Sequence, residues 1–156
     1  MQSYTVQSIG VVRSPVTQRV DDVWGGVEST IQLDERFGRE ALAGLSDFSH
    51  AIIVYLFDQI DEASVEMGSR RPRNNPDWPM VGIFAQRGSR RPNRIGVTVV
   101  EIAGVHECAL TVRRLDAIDG TPVLDIKPYM REFDADGEVR QPEWSADVMR
   151  AYWSNA

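Results

Sequence analysis

A mainly β domain, a single small β-barrel of about seven strands with one or two short helices, is the fold class this sequence predicts. The apolar runs are short and rich in Val, Ile and aromatic side chains, as in Val81–Phe84 and Ile95–Val100. Gly, Pro, Asn and Asp punctuate them. Only two segments carry a helix signal, so the sheet has to supply most of the core.

In chain order, Tyr4 to Val12 alternates well enough for a strand and stops at Arg13-Ser14-Pro15. A polar, acidic stretch leads to Trp24-Gly25-Gly26, which sets an aromatic ring beside flexible backbone; Trp24 is either a stacking surface or a core or lid residue. Glu28 to Leu33 is the next strand. Asp34 is placed to cap a short helix through Leu42, with Gly44 stopping it. Ser49 to Phe57 is the most apolar run and reads as a buried strand. Asp58 and Gln59 at its mouth suit either a ligand or a turn. From Asp61 to Met80 no periodicity survives, and the Pro-rich stretch Arg70 to Pro79 is expected to be a long loop, mobile without a ligand. His106 to Leu115 and Val123 to Ile126 complete the strands around the Asp119-Gly120-Thr121-Pro122 turn. Glu143 to Trp153 is the second helix signal, with Trp144, Val148 and Tyr152 four apart on one stripe. The expected division is a barrel over 1–140 and a C-terminal helix over 141–156 that packs on the barrel or on a partner subunit.

Composition narrows the function. The chain has 156 residues, 42% hydrophobic and 26% charged, which suits one globular domain and excludes a fibrous or disordered protein. No apolar run approaches the roughly 20 residues of a membrane span, and MQSYTVQSIG does not read as a signal segment. A cytoplasmic protein with no membrane partner is expected. A lone Cys108 excludes an internal disulfide, and His106 and Cys108, expected on one strand face, read as packing residues. With His50 the only other histidine, no metal site is expected.

The net charge is −6, but Arg70 to Arg94 holds seven arginines and one acid, Asp77, so that stretch carries +6 and the remainder −12. Within it, VGIFAQRGSRRPNRIGVTVVE reads as strand, presented loop, strand. Pro92 stiffens the loop, and Arg87, Arg90, Arg91 and Arg94 carry planar forks suited to carboxylate or phosphate. A solvated arginine loop is the alternative use of the same residues.

GIFAQRGSRRPNRIGVTVVE, followed by LDAIDGTPVLDIKPYM from Leu115 to Met130, resembles the TsaA-like (TrmO-type) β-barrel methyltransferases that use S-adenosylmethionine. IGVVRSP and GLSDFSHAIIVYLF extend the likeness over most of residues 5–130. It departs at Arg94, at Gln86 and in the loop before Met80, and it is to a short form lacking the C-terminal extension of longer bacterial members. The best-known members methylate threonylcarbamoyladenosine beside the anticodon of transfer RNA. The resemblance implies a cofactor pocket lined by Asp58, Gln59, Arg87, Val97, Leu115 and Asp116, with Trp24 and Gly25 closing over it. Chemically, Arg87 suits the cofactor's carboxylate and Asp116 its ammonium. Arg90, Arg91, Asn93 and Arg94 are expected on the substrate side, and Asp125, Lys127 and Tyr129 are candidate catalytic residues that handle the proton or place the substrate, unless the turn before them explains them structurally. A homodimer is expected. Alternative functions are methylation of a small metabolite and non-catalytic binding of a nucleotide or RNA.

Overall fold

The computed structural model describes residues 2–155. Six strands close an antiparallel barrel in the order β1-β2-β7-β6-β3-β8: β1 Gly10–Arg13, β2 Glu28–Leu33, β3 His50–Leu56, β6 Ile95–His106, β7 Ala109–Arg113 and β8 Pro122–Pro128. The two others, β4 Ser69–Arg70 and β5 Val81–Gly82, pair as a small ribbon. One α-helix, α1 Glu143–Met149, follows the barrel. The predicted mainly β barrel is therefore the architecture found, with six strands in the wall and two outside it.

Alternation along the strands builds the core. Ala51, Ile53 and Tyr55 of β3 point inward with Val12, Ile31, Val100, Leu110, Val112 and Val123, all at most 1% exposed. Ile52, Val54 and Leu56 take the outer face. Phe37, Leu42 and Leu45, from the short turns after β2, plug one end of this core. The other end carries Leu115 and Ala117, just past β7, and it is the polar end of the barrel.

β6 is twelve residues long because it serves two neighbours in succession. Its first half, Ile95 to Glu101, pairs with β3, and its second half, Glu101 to His106, pairs with β7 across an irregularity between Ile102 and Gly104. Alongside Ile95 to Val100, then, β7 contributes no ladder. Loop 83–94 and the chain after β7 come in there, and the cleft begins there.

Several local expectations change. β1 starts at Gly10, and Tyr4 and Val6 lie in solvent at 80% and 68% exposure. Asp34 caps a turn through the Arg36 amide, and the helix expected through Leu42 shrinks to a 3-10 turn at Arg39–Leu42. Glu107 adopts φ 51° in the hairpin between β6 and β7, so His106 and Cys108 flank a turn instead of sharing a strand face. β4 runs into the start of the Pro-rich loop, which holds a 3-10 turn at Pro72–Asn74. Of the C-terminal helix signal, only Glu143–Met149 is α-helical.

Gly96 lies against the Tyr55 ring: a Cβ there would fall inside contact distance of the ring and 3.0 Å from Phe57. Those are buried or half-buried aromatics with little room to give. Gly96→Ala is expected to lower stability by about 1–3 kcal/mol, read from the urea midpoint at constant slope. An unchanged midpoint would mean that Tyr55 is free to move aside.

Candidate functional site

At the polar end of the barrel one carboxylate gathers three hydroxyls. Asp116, two residues past the left-handed Arg114 that ends β7, accepts a hydrogen bond from Tyr55 at 2.9 Å and another from Thr98 on the same oxygen, Oδ1. Tyr152, from the C-terminal segment, donates to the other oxygen, Oδ2. Tyr55 and Thr98 face each other because β3 and β6 pair with Ile53 opposite Thr98 and Tyr55 opposite Gly96. The absent side chain at Gly96 leaves space for the ring.

Burial, and next the Asp116 carboxylate, push the Tyr55 and Tyr152 hydroxyls well above the usual phenol value of 10.0. Both therefore remain protonated donors. Raised values in the fold carry a pH signature: below about pH 10 the interaction is fully present, and above it the unfolded chain loses phenol protons that the folded chain keeps, so stability falls.

Around Asp116 opens a cleft of about 1600 Å³ that runs along the open side of β6 beneath loop 83–94. Of the residues predicted for a cofactor, Trp24, Asp58, Gln59, Arg87, Val97 and Asp116 line it. Leu115 is fully buried in the core, and Gly25 lies against the Trp153 main chain. Arg87 donates to the Val97 carbonyl at 2.6 Å, which leaves other guanidinium N–H groups for a ligand.

Of the residues predicted for a substrate, Arg90, Arg91 and Asn93 line the cleft. Arg94 instead donates to the Ile60 carbonyl at 2.7 Å, and Arg91 also holds the Gln86 carbonyl at 2.9 Å. Asn93 and Arg94 both have positive φ, 63° and 53°, a conformation that asparagine tolerates best. Of the three candidate proton handlers, Tyr129 reaches the cleft. Asp125 and Lys127 pair with each other at 2.6 Å, well exposed, on β8 away from it. Tyr129 donates to Asp134, which raises its pKa, and its ring meets His50 edge-on at 6.2 Å.

The basic stretch has few acidic partners. Among the described residues, Arg73 is the only one of the seven arginines from Arg70 to Arg94 that pairs with a carboxylate, Asp22 at 2.8 Å. Arg70, Arg71, Arg87, Arg91 and Arg94 bond to neutral oxygens, and Arg90 has no side-chain partner among the described residues. The positive charge of this wall has little carboxylate compensation among the described residues.

Sequence reasoning missed Tyr55, Thr98, His50 and Asp134 in the cleft, and took Tyr152 for an apolar stripe residue. One signal was present for Tyr55: a tyrosine at an inward position of a buried strand needs a partner for its hydroxyl.

Known proteins resemble this chain over most of its length. The model of the tRNA-methyltransferase O N-terminal domain matches residues 15–135. The Escherichia coli tRNA (adenine(37)-N6)-methyltransferase is 37% identical over 140 residues, covering 83% of this chain and 59% of that protein. A Pyrococcus abyssi relative called a "probable S-adenosyl-L-methionine-binding protein" is 34% identical over 139 residues, 85% of this chain and 71% of its own. The crystal structure of TrmO from Pseudomonas aeruginosa superposes with a TM-score of 0.75 at 31% identity, covering 94% of this chain and 63% of that one. The chain thus spans less than two thirds of the length of the Escherichia coli and Pseudomonas aeruginosa proteins.

The tyrosine cluster predicts alkaline sensitivity. The melting temperature of the wild type is expected to hold up to about pH 10 and then fall, and Tyr152→Phe should show a shallower fall, having one raised phenol fewer. Parallel profiles for the two proteins would remove Tyr152 from the linkage.

Proposed function

Since the chain belongs to the tRNA-methyltransferase O N-terminal domain family, we propose that it is an S-adenosylmethionine-dependent methyltransferase of transfer RNA, and that it N-methylates threonylcarbamoyladenosine beside the anticodon. The observation that carries this reading is one cleft holding Asp116 and Arg87 on its inner wall and an arginine surface short of carboxylate partners on its rim. An amino-acid-bearing cofactor and a polyanion need that combination. The names of the Escherichia coli and Pyrococcus abyssi relatives support the activity and the cofactor respectively. No described helix is long and apolar enough to cross a membrane, and we place the protein with its transfer RNA in the cytoplasm.

The residues fit the cofactor. Asp116 uses three of about four carboxylate lone-pair positions on hydroxyls, leaving one for an ammonium N–H. Arg87 keeps guanidinium donors free for a carboxylate, and Trp24 and Val97 supply apolar surface in the same cleft. When bound, S-adenosylmethionine supplies a methyl group on a positively charged sulfur, open to in-line attack by a nitrogen. The protein's part is to hold both ligands at attack distance and to keep water out. The nitrogen of a carbamoyl-substituted adenine must also lose its proton. Of the three candidates, Tyr129 has the better position, because its hydroxyl is already bonded to the Asp134 carboxylate at the cleft wall. Asp125 and Lys127 would serve the substrate's backbone from outside the cleft.

We further propose a homodimer that covers the cleft's open side. Ile95 and Val99, on the outer face of β6, are 39% and 47% exposed, and Phe84 is 77% exposed. A second subunit laid along β6 would bury these side chains and bring two arginine walls to one RNA. We choose the β6 face over the C-terminal stripe for the partner because Trp144, Val148 and Tyr152 line the protein's own cleft.

Calorimetry tests the cofactor site. Arg87→Ala is expected to weaken S-adenosylhomocysteine at least about tenfold, as for loss of a charged hydrogen bond, while Arg70→Ala stays within about twofold. Equal loss in both variants would contradict the division of the arginines between two ligands. Mass spectrometry of transfer RNA from cells lacking the protein tests the substrate: the methyl on threonylcarbamoyladenosine should vanish, and its persistence would point to a small metabolite or to a binding role. Light scattering at micromolar concentration should return the dimer mass; a monomer would leave the β6 face without an occupant.

A further inference from the structure

The C-terminal segment lies beyond the residues matched by the family model, 15–135, so its role has to come from its contacts. It is built into the cleft. Three main-chain hydrogen bonds tie it to the strip before β2: Val23 N–H to Ala151 O at 3.2 Å, Trp24 N–H to Tyr152 O at 2.9 Å, and Gly25 N–H to Ser154 O at 3.1 Å. The fit is close enough that a Cβ on Gly25 would overlap the Trp153 carbonyl. The Arg114 guanidinium stacks 4.7 Å over the Trp153 ring, and Trp153 meets Tyr152 edge-on at 4.8 Å. Tyr152 is thus clamped by its main-chain bond to Trp24 and by the Trp153 ring, with its hydroxyl on Asp116 Oδ2.

The donor count gives that bond a purpose. Oδ1 has its two lone pairs taken by Tyr55 and Thr98, so all remaining acceptor capacity is on Oδ2. Tyr152 takes one of the two positions there. With two oxygens fixed from three segments of the chain, the carboxylate cannot rotate, and one acceptor direction is left on a residue that lines the cleft. A fixed single acceptor suits one N–H of a ligand's ammonium group, and it costs no reorganisation when the ligand arrives.

We propose that Tyr152 is a positioning residue for the ammonium group of the ligand: its hydroxyl orients Asp116, and the C-terminal segment is an intrinsic wall of the binding site. This rests on the reading that the cleft holds an amino-acid-bearing nucleoside cofactor. It extends that reading to a segment outside the family match. The hydroxyl acts through Asp116, so its removal is felt by ligands with an ammonium group and not by ligands without one.

A pair of ligands separates this from simple packing. S-adenosylhomocysteine carries the amino acid; 5′-methylthioadenosine has the same nucleoside and thioether but no amino acid. Binding of both to the full chain would be measured by calorimetry for the wild type, Tyr152→Phe and Trp153→Ala, with melting temperatures as a check on folding. Tyr152→Phe keeps the ring and is expected to weaken S-adenosylhomocysteine roughly tenfold, the usual loss for a hydrogen bond to a charged group, and 5′-methylthioadenosine by less than about twofold. Trp153→Ala, which removes the ring under Arg114 and loosens the clamp, should show the same selectivity to a smaller degree. If both variants lose the two ligands equally, or lose neither, Tyr152 only packs and the inference is overturned. If the wild type itself binds neither ligand, the cofactor reading fails first and takes this one with it.

Discussion

The Asp116 carboxylate is the constraint on which the functional end of this protein depends. It joins β3 through Tyr55, β6 through Thr98 and the C-terminal segment through Tyr152, three pieces of chain that it holds to one point. A carboxylate taken partly out of water is costly unless donors replace its solvation. Neutral hydroxyls do this without cancelling its charge, as an arginine would. The group is therefore both satisfied by the fold and still attractive to a cation. That combination is what a recognition site needs and what a structural ion pair lacks.

The cleft itself follows from strand stagger. A barrel of few strands closes only if the strands are sheared past one another. Here the shear appears as a β6 that serves β3 with its first half and β7 with its second. The consequence is a stretch of β6 from Ile95 to Val100 with no β7 beside it, open to loop 83–94 and to the chain after β7. The Arg87 guanidinium reaches the Val97 carbonyl in that stretch. The same irregularity that closes the barrel thus exposes the main chain on which the site is assembled.

How far the sequence can be read depends on the range of each interaction. β2 is found at Glu28–Leu33, the bounds that alternation predicts, and β3 within one residue at each end, because period two and burial are local properties. The short helix after Asp34 failed for a local reason also: the aspartate satisfies a nearby amide, and Gly38 interrupts the segment before a full helical turn can form. The hairpin at Glu107 was missed because a single left-handed glutamate leaves no compositional mark. Of the residues that the resemblance implies for a cofactor, Asp58, Gln59, Arg87, Val97 and Asp116 line one cleft, a grouping that no local pattern marks. The contact between Tyr152 and Asp116 spans 36 positions and is set by where the chain returns after β8, so no window of sequence contains it. The apolar stripe of Trp144, Val148 and Tyr152 was visible; its direction was not.

The arginines show why composition and placement have to be read together. A count gives seven arginines in one stretch, and either a solvated loop or an anion site accounts for the count. The partners chosen favour the anion site. Arg71, Arg87, Arg91 and Arg94 all donate to main-chain carbonyls, of Trp78, Val97, Gln86 and Ile60. A carbonyl accepts a hydrogen bond but carries no net charge, so each side chain is fixed in place while its positive charge stays uncompensated. Lysine could be held by the same carbonyl, but its compact ammonium offers no rigid second edge, whereas guanidinium keeps further N–H groups in a planar fork. Of these four, Arg87 and Arg91 line the cleft, and each, held through one edge, keeps other N–H groups for whatever enters it. Rigidity and unspent charge come from the same bonds, and an anionic partner is the one kind of ligand that gains from both.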